Sequence, residues 1–62
     1  MSPTIHILPK GLDGWLLKTV GLEGKEGFFA TREEALRAAS AMADTFRADL
    51  VVHERDGTTT RH

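Results

Sequence analysis

Thr31–Arg32–Glu33–Glu34–Ala35–Leu36, continuing to Phe46, is the stretch that decides the fold. Thr31 and Glu34 have the spacing of a capping box, in which the threonine hydroxyl accepts from the Glu34 N–H and the Glu34 carboxylate reaches back to the N–H of Thr31. Ala35, Leu36, Ala39, Met42, Ala43 and Phe46 follow at spacings of three and four, which gives a helix one apolar face. The pattern predicts a helix ending near Arg47 or Ala48. Short apolar runs flank it on both sides. The expected class is α+β: a small two-layer β-β-(β)-α-β domain, an antiparallel sheet with one helix packed on one face.

Working outward from the helix, Thr4–Ile5–His6–Ile7–Leu8 is β-branched and apolar and reads as a first strand, with Ile5 and Ile7 on one face and His6 on the other. Pro9–Lys10–Gly11–Leu12–Asp13–Gly14 is dense in turn formers and predicts a hairpin loop longer than the two-residue type. Trp15–Leu16–Leu17–Lys18–Thr19–Val20 is the second strand. The segment Gly21–Gly27, with three glycines in seven residues, reads as the most mobile loop. Phe28–Phe29 forms a brief third strand leading into the helix cap. After the helix, Asp49–Leu50–Val51–Val52–His53–Glu54 is a strand, and Asp56–Gly57 is a two-residue hairpin turn. One domain spans 1–62, with its ordered core at about 4–57 and a tail, 58–62, that is a short edge strand or disordered.

One helix covers one face of such a sheet. Each main strand nevertheless carries apolar residues on both faces: Ile5 and Ile7 against Leu8, Trp15 and Leu17 against Leu16 and Val20, Leu50 and Val52 against Val51. A one-sided sheet alternates cleanly with polar residues. The second apolar face therefore calls for a cover, and the simplest is a second copy of the chain. Leu8, Leu16, Val20 and Val51 are the candidate interface of a homodimer.

Sixty-two residues make one domain, which buries only about 60% of the surface that its unfolded chain exposes. There is no cysteine, so neither disulfides nor thiolate metal sites can reinforce it. Eight Lys plus Arg stand against nine Asp plus Glu, with the signs interspersed. A dedicated non-specific nucleic-acid binder carries a basic excess or a basic stripe, so nucleic acid is a minor expectation. The N-terminus, Met1–Ser2–Pro3–Thr4, has no basic n-region or apolar h-region, and no run reaches the ~20 apolar residues of a membrane span. A cytoplasmic protein with no membrane partner is expected.

Several constellations bear on chemistry. His6 and His53 lie in strands that can be neighbours, and with Glu54 or Asp56 they could ligate a metal. In a regular strand, however, Glu54 faces away from His53, so a cross-strand polar pair is the preferred reading and no metal or cofactor is expected. His62 is terminal and expected to be disordered. Trp15 is read as the main core anchor rather than a stacking platform. His53, Arg55 and Asp56 form a candidate recognition loop, although turn chemistry alone explains Asp56 and Gly57, and Arg55 reads as a surface residue whose removal leaves stability unchanged. Arg32, Glu33, Arg37, Ser40, Asp44 and Arg47 form a solvated helix face. Neither a phosphate loop nor a nucleophile–base pair is present, and no enzyme is expected.

The segments Thr4–Ile5–His6–Ile7–Leu8–Pro9, Asp13–Gly14–Trp15, Lys18, Thr31–x–x–Glu34–Ala35 and Asp49–Leu50–Val51–Val52–His53–x–Arg55–Asp56–Gly57 together resemble domain of unknown function family 2188, a family of short bacterial proteins. The resemblance runs from about Thr4 to Gly57. Its most specific pieces are the Ile5–His6 strand, the Asp13–Gly14–Trp15 entry to the second strand, and the Leu50–Gly57 close. Glu54 and the length of Leu22–Phe28 depart from the pattern. The resemblance implies the fold and a bacterial or phage origin, and supplies no catalytic residues. The functional expectation is a small non-catalytic module that self-associates. The alternatives are a phage or mobile-element inhibitor of a larger protein and a nucleic-acid-associated protein.

Overall fold

A computed structural model of the chain describes residues 2–22 and 26–61. The glycine loop at 23–25 and His62 lie outside the described residues. The elements run β1 (Thr4–Lys10), β2 (Gly14–Val20), β3 (Gly27–Phe29), α1 (Arg32–Phe46), β4 (Asp49–His53) and β5 (Thr59–Arg61). They form one five-stranded sheet of order β3-β2-β1-β4-β5, with α1 packed against one face. The α+β class and the β-β-β-α-β order match the expectation, and the threonine tail is the edge strand β5.

The sheet is mixed rather than wholly antiparallel. Strand β1 pairs antiparallel with β2 but parallel with β4, Ile5 beside Leu50 and Ile7 beside Val52. Chain direction explains this. Each hairpin reverses the chain and so does the helix, so β4 leaves α1 running the same way as β1. Leu50, Val51 and Val52 are all buried. A strand with that pattern belongs in the interior of a sheet, and the place beside β1 provides it. The Asp49 N–H opens the ladder by donating to the Pro3 carbonyl at 2.9 Å.

The helix begins as its sequence dictates. Thr31 is extended (φ −128°, ψ 157°) and its Oγ1 accepts from the Glu34 N–H at 3.2 Å. At the other end Arg47 takes the left-handed conformation (φ 53°), and the Ala48 N–H returns to the Ala43 carbonyl at 3.0 Å. The core is Ile5, Ile7, Trp15, Leu17, Leu50 and Val52 of the sheet against Ala35 and Ala39 of α1, flanked by Leu36, Met42 and Ala43. Two alanines at the contact let the helix backbone approach the sheet closely, and Trp15, only 6% exposed, fills the layer from the sheet side. Phe46 departs from the expected apolar face. It is 39% exposed and outside the core.

The loops of the β1–β2 and β4–β5 hairpins each hold three residues. Lys10 pairs with Gly14 around Gly11–Leu12–Asp13. In the second, the Glu54 N–H donates to the Thr58 carbonyl at 2.8 Å around Arg55–Asp56–Gly57. The Gly57 N–H also donates to the Glu54 carbonyl at 3.1 Å, and Gly57 has φ +94°. This is a turn followed by a left-handed bulge residue, not the two-residue turn read from Asp56–Gly57, although glycine serves the same purpose at the same place.

Because Trp15 is the largest side chain in a thin core, Trp15→Ala is expected to destabilise by about 3–5 kcal/mol, read by chemical denaturation. Native tryptophan fluorescence is expected to be blue-shifted and poorly quenched by iodide. Emission like that of free tryptophan would contradict this packing.

Candidate interaction face

The face of the sheet opposite α1 is built by simple alternation. Leu8 stands opposite Leu16, and Leu16 opposite Phe28. In the next row His6 is opposite Lys18 and beside Val51, which is opposite Arg61. Thr4 lies between Val20 and Asp49. The four residues singled out from sequence, Leu8, Leu16, Val20 and Val51, all point to this face. They are not equally available. Val51 is 7% exposed and already covered by its neighbours, whereas Val20 is 63% exposed. Leu8 and Leu16 are half-buried.

Sequence reasoning missed Phe28. It is 62% exposed on the same face, and its ring lies over Gly14, where an added Cβ would overlap it. The signal was present, since adjacent strand residues point to opposite faces and Phe28 and Phe29 cannot both enter the core. Charge is sorted as well. Lys10 lies at one end of β1 and Asp49 at the other end of this face. Arg61 belongs to the edge strand β5, and Lys18 stands beyond the last paired residue of β3. The centre is apolar except for two imidazoles.

Those imidazoles touch. His6 Nδ1 and His53 Nε2 are 3.1 Å apart, with ring centroids at 5.3 Å and planes 26° apart. The centroid separation is close to the nitrogen separation plus two ring radii, so the rings meet edge to edge along an N–H···N hydrogen bond. One ring donates and the other accepts. A second proton on the pair removes the accepting lone pair.

The other candidate loop residues are exposed but bonded within the chain. The Arg55 guanidinium donates to the Gly11 carbonyl at 2.7 Å and the Gly14 carbonyl at 2.8 Å, and its Cζ lies 4.9 Å from the centroid of the Trp15 ring. It clamps the β4–β5 turn to the β1–β2 hairpin, so the expectation that it is a dispensable surface residue does not hold. Asp56 accepts from the Thr58 N–H at 3.0 Å and the Thr58 hydroxyl at 2.7 Å, and these bonds, the hydroxyl's first, hold its carboxyl below the usual carboxylate range. Glu54 accepts two bonds from Arg32, at 2.9 and 2.7 Å, on the helix side of the sheet. Those bonds hold its carboxyl below the ordinary range, and the same partner raises Arg32. Glu54 is thereby tied away from the histidines, as strand alternation requires.

Two outcomes follow. Arg55→Ala is expected to cost about 1–2 kcal/mol in chemical denaturation, the sum of modest hydrogen bonds and a partly exposed cation–π contact. Arg55→Lys should recover only part, because an ammonium lacks the planar fork. For Glu54, the folded-state pKa lies below the unfolded value, so the contribution of the Arg32 pair is present above the ordinary value of 4.5 and is lost as pH falls through the lowered one. The melting-temperature gap between wild type and Glu54→Gln should therefore narrow on acidification below that value. A gap independent of pH would contradict the pairing.

Of the motif segments that carry the family resemblance, Ile5–His6 meets Leu50–Gly57 at the imidazole pair, and Asp13–Gly14–Trp15 meets it at the Arg55 clamp. No curated protein and no solved structure matches the chain. A family model described as "Uncharacterized protein conserved in bacteria (DUF2188)" matches residues 5–61, from the first core isoleucine to the last residue of β5. The chain belongs to this bacterial family of uncharacterised proteins.

Proposed function

We propose that the domain is a non-catalytic interaction module that associates with a second copy of itself through the uncovered sheet face. The observation that carries this reading is the arrangement of that face, with Leu8, Leu16 and Phe28 in a continuous row and Lys10, Lys18 and Arg61 at its margins. An apolar centre with a polar rim is the anatomy of a protein interface. The ends of the face carry opposite charge, Asp49 at one and Lys10 at the other. A two-fold axis running across the strands brings the acidic end of one copy to the basic end of its partner, which favours a second copy as the occupant. The non-catalytic part of the reading is supported by the histidines, whose facing nitrogens are engaged with each other. Among the described residues no helix is long and apolar enough to cross a membrane.

Sedimentation at about 100 μM, well above the dissociation constant expected of an interface of standard size, should show a dimer. Leu16→Asp should give a monomer with an unchanged circular dichroism spectrum. A wild-type monomer at that concentration would overturn the proposal. If that monomer also bound a DNA or RNA oligonucleotide with affinity falling steeply as salt rises, the cationic rim would be serving a polyanion instead.

A further inference from the structure

The geometry points to a binding site for a divalent first-row transition-metal ion at His6 and His53 on the uncovered face. Two nitrogens bound to one ion at about 2.0–2.1 Å stand about 2.9–3.4 Å apart for ligand angles of about 90–110°. The observed separation, 3.1 Å, falls inside that range. The residues come from positions 47 apart in the chain and are held by adjacent strands through the ladder that sets His6 beside Val51, so the spacing is fixed by the sheet rather than by loops. Both residues are half-buried, which limits their freedom.

The pair also differs chemically from the other polar contacts around it. Arg32 with Glu54, Arg55 with two carbonyls and Thr58 with Asp56 each match a dedicated donor to a dedicated acceptor. His6 and His53 are instead two identical groups, both able to offer a lone pair, sharing one proton. Replacing that proton with an ion uses both lone pairs at once. Because the nitrogens lie nearly on the line between the ring centres, each lone pair must turn by roughly 40° to converge on an ion about 2.05 Å from both, which takes side-chain rotation at both histidines, and the shared proton is released to water. No third His, Cys, Asp or Glu joins the pair among the described residues, so water completes the coordination shell. Imidazole nitrogen and an open shell favour Cu²⁺, then Ni²⁺ and Zn²⁺, over Mg²⁺ or Ca²⁺.

The test is titration of the wild-type chain with Cu²⁺ by calorimetry, with Zn²⁺ as a diamagnetic probe of the histidine ring protons by NMR. The expected result is one Cu²⁺ per chain at micromolar concentrations, a rise in melting temperature with added ion, and joint shifts of the His6 and His53 ring signals while those of His62 stay in place. His6→Gln and His53→Gln should each weaken binding at least tenfold, and His62→Gln should not. Binding unchanged in either single variant, ring signals that respond independently, or no binding at about 100 μM Cu²⁺, a concentration that saturates a micromolar site, would overturn the assignment. The NMR readout needs no variant to fold. Leu16→Asp, which targets self-association, should retain the ion, so the fate of this site and that of the dimer are separable.

Discussion

Among the described residues a single fifteen-residue helix is the only cover for a five-stranded sheet, and most of the molecule follows from that constraint. The helix meets the sheet through Ala35 and Ala39, both fully buried. Small residues at that contact bring the layers close and leave the volume to be filled from below, by Trp15, Leu17, Ile5, Ile7, Leu50 and Val52. On the other face the described residues form no second layer. The side chains there shield one another as far as they can, fully at Val51, in part at Leu8 and Leu16, and little at Val20 and Phe28. The uncovered face is thus a by-product of building an α+β domain with one helix.

Polar contacts do a different job. They fasten the ends of elements instead of filling the core. Arg32 and Glu54 connect the first turn of α1 to the end of β4, while Arg55 connects the β4–β5 turn to the β1–β2 hairpin and lies against Trp15. In a domain with so few core residues such ties matter, because they cross between segments more than forty residues apart in the chain for Arg55 and more than twenty for Arg32. Glu54 serves in the only ion pair found among the described residues. Its carboxylate faces the helix side, which leaves His53 to meet His6 on the other.

The imidazole pair occupies the centre of the face that the helix leaves open. It is polar, it holds one proton too few to satisfy both rings as donors, and it is surrounded by Leu8, Leu16 and Val51. Whatever meets this face meets those two rings, whether a proton, an ion or a second copy of the chain.

Much of the architecture was legible in the sequence. The Thr31–Glu34 cap, the spacing of three and four along α1, the alternation of Ile5, His6 and Ile7, and the glycine at the left-handed position of the last turn are local signals, and local backbone physics realises each one. The excess of apolar residues on both faces of the strands likewise announced a face without cover. Tertiary structure alone decided the rest. The parallel pairing of β4 with β1 depends on where the helix returns the chain, which no local pattern records. Arg55 reads as a solvated turn residue until the β1–β2 hairpin is folded beside it and presents two carbonyls and a tryptophan ring. The strand pattern places His6 and His53 on adjacent strands at most, and only the register of β1 against β4 sets their nitrogens 3.1 Å apart, because a one-residue slip would turn one ring to the helix side.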